Sequence, residues 1–205
     1  MRYLLLSSCL FLLAGCSSVY KNLQPATGDI NYIQNFKPDF KNALYKAEID
    51  VVGHHLSGLL LIKTLPDSSI RVVFSNEIGF KFFDFEFRPD GEFNVFYIVK
   101  QMDKKPVIKT LKKDFELIIL PIRDYKSAYL LKDDFSLYYV FPKPKGSFCY
   151  ITDLNGSEMR TMEIASPHKP IVLAIMKNYI NGVPDTVGIS HKNFNFTIGL
   201  KRLER

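Results

Sequence analysis

The feature that most constrains the fold is a two-residue period of apolar side chains that recurs along nearly the whole chain. Residues 45–51 alternate between apolar and charged side chains, which is typical of a β-strand with one buried and one wetted face. Similar segments follow at 56–64, 69–76, 80–88 and 93–100, separated by short turns rich in Gly, Pro and Asp. Such short connections favour antiparallel pairing of consecutive strands, so the sequence predicts a meander.

The period changes once, between Asp103 and Pro121. Apolar residues there follow a helical spacing and form one stripe: Val107, Ile108, Leu111, Phe115, Ile118 and Ile119. Asp103 is the expected N-cap, and Pro121 is the expected stop. Strand-like segments then resume at 126–132, 135–141, 147–153, 158–165, 171–179, 185–191 and 194–203. The sequence therefore predicts one amphipathic helix in the middle of a β-rich chain.

A sheet with this many antiparallel strands tends to curl or split. The helix needs a partner for its apolar stripe, and the concave face of a curled sheet provides one. We therefore predict a mainly β (α+β) fold, a half-open antiparallel β-barrel of about 11–12 strands with the helix against its concave face. The expected domain covers residues 29–205.

Aromatic residues are concentrated between positions 80 and 97. Strict alternation places Phe83, Phe85 and Phe87 on one face of a strand and Phe80 and Phe82 on the other. The inward residues either pack a core beneath the helix or line a cavity for acyl chains, and the sequence leaves both interpretations open. The candidate cavity residues are Val72, Phe74, Phe83, Phe85, Phe87, Leu111 and Phe115.

The N-terminus has the features of a secretory signal. Arg2 precedes a short apolar run that ends in Leu13-Ala14-Gly15-Cys16, which resembles a bacterial lipobox. The run is too short to span a bilayer, which takes about 20 residues. We predict a signal peptide at 1–15, a lipidated Cys16 carrying acyl chains such as palmitate, and a tether at 16–28. An ordinary signal peptide with a chance cysteine is the alternative.

Composition excludes several other classes of function. The net charge of +6 is mild and contains no Lys/Arg block, so nucleic acid is not an expected partner. A uniformly solvated surface or contact with anionic lipid could explain the basic excess. His54 and His55 are adjacent and should diverge, so no metal site is expected. No catalytic motif is present, and we expect neither a cofactor nor enzymatic activity.

The turn at 75–79 carries an unusual residue for a hairpin tip. Asn76 and Gly79 are ordinary turn residues, whereas Ile78 is a large aliphatic residue. Ile78 either folds back onto a neighbour or stays exposed to contact something apolar.

The chain resembles the LolA/LolB-like family of periplasmic lipoprotein carriers and receptors in four features. These are the segment 69–79, the meander and the helix that follow it, and the paired closing segments 184–189 and 198–203. The Asn76-Glu77-Ile78-Gly79 turn is most similar to the Asn-x-Leu-Gly turn of the LolB-like receptor branch. This chain departs from the family in having no Trp, and it carries Glu77 where the receptor often has proline.

The resemblance implies an outer-membrane lipoprotein that faces the periplasm and holds acyl chains of lipoproteins or lipids in its cavity. It also implies a soluble periplasmic carrier as partner and a membrane-insertion role for Ile78. The alternative function is a structural or accessory lipoprotein, with a filled barrel that docks a partner envelope complex.

Overall fold

A computed structural model describes residues 18–51, 53–121 and 125–203. Cys16 and the predicted signal peptide lie outside the described residues. The described chain forms thirteen strands in one sheet: β1 (Gln24–Ala26), β2 (Ala43–Val51), β3 (His54–Thr64), β4 (Ile70–Ser75), β5 (Lys81–Phe87), β6 (Phe93–Ile98), β7 (Tyr129–Lys132), β8 (Ser136–Lys143), β9 (Gly146–Asp153), β10 (Met159–Ala165), β11 (Pro170–Ile180), β12 (Val183–His191) and β13 (Phe196–Arg202).

All neighbouring strands pair antiparallel, and most are neighbours in sequence as well as in space. The spatial order is β1-β7-β8-β9-β10-β11-β12-β13-β2-β3-β4-β5-β6, so β1 and β6 form the two edges of an open sheet. The predicted meander is confirmed. Twelve of the strands match predicted segments, and β1 is the additional one.

Among the described residues there is one α-helix, α1, which spans Lys105–Ile119, as the helical period predicts. Its N-cap is Lys104, which makes no side-chain capping bond, so the predicted cap at Asp103 is wrong by one residue. Pro106 occupies the first turn, where its missing N–H costs no hydrogen bond. Leu120 caps the C-terminus in the left-handed conformation, with φ of 51°.

Contacts of α1 show that the sheet curls around it. Asp114 bonds to His191 on β12, and its neighbour Phe115 packs on Phe83 of β5, with ring centroids 5.8 Å apart. In the sheet order, β12 and β5 are separated by five inter-strand spacings, which would be about 24 Å in a flat sheet. Adjacent residues of one helix can reach both only if the sheet is strongly curved. The predicted half-open barrel with a helix on its concave face is confirmed.

The described part of the predicted tether packs against the domain. β1 pairs with β7, the Val19 N–H donates to the His168 carbonyl, and the Ser18 hydroxyl donates to the Pro167 carbonyl. Residues 18–26 of the predicted tether are therefore held on the sheet, because backbone and hydroxyl groups there find partners on it. None of the helices among the described residues is long and apolar enough to cross a membrane.

The antiparallel order also sorts the connections. One end of the sheet, here called the upper end, contains the connections that follow β2, β4, β6, β8, β10 and β12. Those after β3, β5, β7, β9 and β11 lie at the opposite, lower end.

Candidate functional site

An apolar pocket of about 770 Å³ opens at the upper end of the curled sheet. Its strand walls come from β2, β3, β5 and β13: Ile49, Val51, Leu56, Phe82 and Phe196. Its mouth is formed by upper-end connections and the start of β3: His54, Phe80, Val99, Gln101, Met102, Lys104 and Phe194. The volume falls within the range of about 300–1,000 Å³ found for small-molecule sites.

Helix α1 divides the interior of the barrel into a pocket and a core. Its first turns line the pocket with Pro106, Val107 and Thr110. Its last turns bury residues 117–119 in the core. Leu111 is 3% exposed and lines the pocket, so it lies at the boundary. The interior is therefore hollow beside the first turns of α1 and filled around its last turns.

A β-bulge in β5 brings Phe82 to the pocket. Phe74 pairs with Phe83, and the next residue, Ser75, pairs with Lys81, so Phe82 is the unpaired extra residue. The Phe82 ring stacks on Phe74 at 4.9 Å, and Phe74 also contacts Phe83. The prediction that Phe82 and Phe83 lie on opposite faces is wrong, because a bulge interrupts the two-residue alternation.

Most of the predicted cavity residues lie in the core beside the pocket. Among them, Leu111 lines the pocket. The other six lie in the core, on β4, β5 and α1: Val72, Phe74, Phe83, Phe85, Phe87 and Phe115. The rings of Phe83 and Phe85 stack at 4.6 Å. These residues support the wall formed by Phe82, and direct contact between them and a ligand stays a prediction.

Ile78 stands at the tip of the β4–β5 hairpin and is 91% exposed. A hydrogen bond stabilises the turn beneath it: the Phe80 N–H donates to the Asn76 side chain at 2.7 Å. Gly79 has a positive φ of 90°, which favours glycine. Phe80, two residues further on, is half-exposed and lines the pocket. The exposed tip is therefore continuous with the mouth of the pocket.

A buried polar pair joins α1 to the sheet next to the pocket. His191 Nε2 lies 2.9 Å from Asp114 Oδ2, and the imidazole packs against Phe194 and Phe196 of the pocket wall. Burial raises the pKa of Asp114, and the hydrogen bond with His191 opposes that shift. Sequence reasoning missed this pair because its members are far apart in the chain and neither belongs to a local motif.

Other polar residues of interest have structural partners. His55 Nδ1 lies 2.7 Å from Asp50, while His54 lines the pocket. Within the described ranges, no group of three or more His, Cys, Asp or Glu side chains could hold a metal ion. Burial would raise the pKa of Asp84, but hydrogen bonds from Arg71 and Lys81 lower it below its ordinary value. Asp84 therefore serves as an ion-pair partner on the outer face.

No protein-family model and no curated protein matches the chain. Among solved structures, the chain is similar to a domain provisionally described as an outer membrane lipoprotein-sorting protein domain from Vibrio parahaemolyticus. That similarity has 10% identity and a TM-score of 0.45, and covers 85% of this chain and 90% of the other. A DUF1329 family protein from Desulfovibrio piger is similar at 8% identity and a TM-score of 0.43, with the same coverage. The case for a function therefore comes from the geometry of the upper end.

Proposed function

We propose that this protein is an outer-membrane-anchored lipoprotein that binds acyl chains in the pocket and accepts or inserts lipoproteins or other lipids. The observation that carries the proposal is an apolar pocket of about 770 Å³ whose mouth adjoins the exposed Ile78 tip. The protein makes and breaks no covalent bond in this role.

The pocket has the chemistry of an acyl-chain site. Its walls are aliphatic and aromatic, and the few polar groups, such as His54, Gln101 and Lys104, come from its mouth and the adjoining start of α1. Each CH₂ moved from water into such a site contributes about 0.8 kcal/mol. Affinity therefore comes from chain length, and the polar groups are placed to meet a head group.

Ile78 is proposed as the membrane-insertion residue. An aliphatic side chain that is 91% exposed in water gains apolar contact when it enters a bilayer. Phe80 continues this surface into the pocket mouth. A chain leaving the pocket can thus pass from one apolar surface to the next without crossing water.

The anchor is proposed to be acyl groups on Cys16, with the domain facing the periplasm and receiving cargo from a soluble periplasmic carrier. The lipobox-like Leu13-Ala14-Gly15-Cys16 supports the anchor. The pocket favours lipid binding over the accessory function with a filled barrel, since a filled barrel does not account for a large apolar pocket with an exposed rim.

Binding is tested by displacing a fluorescent fatty acid with palmitate. Thr110 lines the pocket, so Thr110→Trp should fill it and abolish displacement. Lys109→Trp places the same ring on the exposed side of α1 and should leave binding unchanged. Equal binding by both variants, or no binding by the wild type, would contradict the proposal.

Transfer is tested in cells depleted of the protein, where lipoproteins should be mislocalised. Ile78→Glu should fail to restore their localisation while folding normally. Phe135→Glu is a matched control, because Phe135 is also an exposed apolar residue, at the lower end, and it should restore localisation. Normal localisation in the depleted cells would overturn the transfer role.

A further inference from the structure

We propose that the upper end of the domain is a docking surface for an anionic lipid bilayer, and that residues 18–20 clip the N-terminus so that this end faces the membrane. The proposal rests on the lipid anchor at Cys16 in the proposed function. It does not depend on what the pocket holds.

Basic residues are concentrated at the upper end. The described connections there carry five lysines and two acidic residues: Lys100, Lys104, Lys145, Lys169, Lys192, Glu77 and Asp103. Helices and strands that begin or end at the upper end add three more lysines: Lys81, Lys105 and Lys143. All eight lysines are exposed, so the mild basic excess of the whole chain is concentrated in a basic rim along the upper end, where the pocket opens.

The lower end has the opposite charge. The connections there, with the segment before β2, carry seven acidic residues and three basic ones: Asp39, Asp67, Asp90, Glu92, Asp133, Asp134, Glu158, Lys37, Lys41 and Arg88. Strands that end at the lower end add one acidic and two basic residues: Asp153, Lys132 and Arg202. The net charges of the two ends thus have opposite signs, and the domain is electrically polarised along its strands. Such a molecule turns its basic end toward an anionic surface.

Exposed apolar residues accompany the lysines at the upper end. Ile78 and Phe80 on the β4–β5 turn and Phe194 on the β12–β13 turn are 91%, 48% and 44% exposed. Lysines around protruding apolar side chains are the usual composition of a surface that lies on a lipid interface.

The N-terminal clip fixes the chain to the same end. The Ser18 hydroxyl and Val19 N–H donate to carbonyls of the β10–β11 turn, both at 2.9 Å. The Tyr20 hydroxyl donates to Glu163 on β10 at 2.6 Å. Its ring packs on the small outer-face cluster of Val140, Cys149 and Ala165. Three separate contacts therefore hold this short segment in place.

The clip determines where a lipid anchor would attach. Cys16 precedes Ser18 by two residues, a chain length of at most about 7 Å. A lipid on Cys16 would therefore be tethered to the upper end of the sheet, beside the basic rim. The anchor, the lysines and the apolar tips share one end, which favours a bilayer as the occupant over an acidic protein.

The test uses the full-length lipidated protein in vesicles of phosphatidylethanolamine and phosphatidylglycerol. A nitroxide is placed by Asn193→Cys at the upper end or by Asn155→Cys at the lower end, both exposed positions in turns. Collision with water-soluble nickel measures exposure to water, and collision with oxygen measures proximity to lipid. We expect the label at 193 to be shielded from nickel and the label at 155 to be fully accessible.

Charge reversal supplies the matched comparison. The triple variant Lys145→Glu, Lys169→Glu and Lys192→Glu should expose the label at 193 to the level seen at 155. The lower-end triple variant Lys37→Glu, Lys41→Glu and Lys132→Glu changes the net charge equally and should leave the shielding unchanged. Tyr20→Ala, which removes the clip, should also reduce shielding at 193.

A label at 193 that is as accessible as the one at 155, or shielding that survives the upper-end reversal, would overturn the proposal. The first result would assign the basic rim to an acidic protein partner. Palmitate displacement is measured on the same preparations, so a failure of docking is distinguished from a failure of the pocket.

Discussion

The two ends of the curled sheet use the same strands but enclose different interiors. At the lower end, the 3-10 helix at Ile30–Phe36 lies beside the β9–β10 turn, where Tyr32 approaches Gly156, and Ile33 is fully buried. At the upper end, α1 lies inside the sheet, with Asp114 bonded to His191, and a pocket of about 770 Å³ remains beside its first turns. A sheet of this curvature leaves more room than one helix occupies, so the position of the 3-10 helix decides which end is closed.

The polar residues of the two ends also serve different purposes. Hydrogen bonds from Ser69 hold the pKa of Asp67 below its ordinary value, and the Glu158 N–H does the same for Asp153. Lower-end carboxylates thus organise the turns that contain them. The upper-end lysines lie at the end of the sheet where the pocket opens, which is consistent with a role toward a partner.

The largest expected effect distinguishes the core from the pocket. Phe115→Ala removes a fully buried ring of α1 that packs on Phe83 and should lower the free energy of unfolding by about 3–5 kcal/mol. Val107→Ala, in the pocket wall, should cost less than about 1 kcal/mol because its site is already partly empty. Denaturant unfolding measures both, and equal losses would remove the distinction.

The next effect concerns the junction between the two regions. His191→Phe leaves the buried Asp114 carboxyl without its partner and should cost about 1–3 kcal/mol. Burial raises the pKa of Asp114, so the folded variant favours the protonated form. The stability that the variant loses relative to wild type should therefore be smallest at acid pH and should grow as the pH rises through the raised pKa. Urea unfolding across the acid-to-neutral range measures this, and a flat profile would contradict it.

A smaller effect on stability, but a clear one on binding, is expected at the bulge. Phe82→Ala removes pocket wall and should weaken palmitate binding about tenfold, which corresponds to about 1.4 kcal/mol. Phe96→Ala changes an aromatic residue on the outer face beneath Arg71 and should leave affinity unchanged. Similar affinities for the two variants would show that the ligand does not use this wall.

The smallest effect is expected on the outer face behind the pocket. Asp84→Asn weakens the bonds from Arg71 and Lys81 and should cost about 1 kcal/mol at neutral pH. Because the pKa of Asp84 is lowered in the folded state, this contribution exists above the ordinary carboxyl pKa and is lost as the pH falls through the lowered value. The difference from wild type should therefore vanish in strong acid, and urea unfolding of the two proteins across the acid range measures it.

Much of the fold could be predicted because its signals are local. Alternation and turn residues identified twelve strands, and the helical period identified α1, since each depends on neighbours within one element. The exposed Ile78 was recognised in the same way, as an aliphatic residue in a polar turn. The pocket wall was assigned less well, because the bulge at Phe82 arises from the pairing of β4 with β5. The junction of Asp114 and His191 joins distant parts of the chain and had no sequence signal.

By itself, the sequence determined that the chain forms one antiparallel sheet with one helix and an aliphatic hairpin tip, because periodicity and turn chemistry act over a few residues. Only the tertiary structure decided where the barrel is filled and where a pocket remains, since that depends on where α1 and the 3-10 helix lie in the curled sheet. It also decided that the lysines gather at the open end. They lie in turns widely separated along the chain, and the antiparallel order of strands brings those turns together.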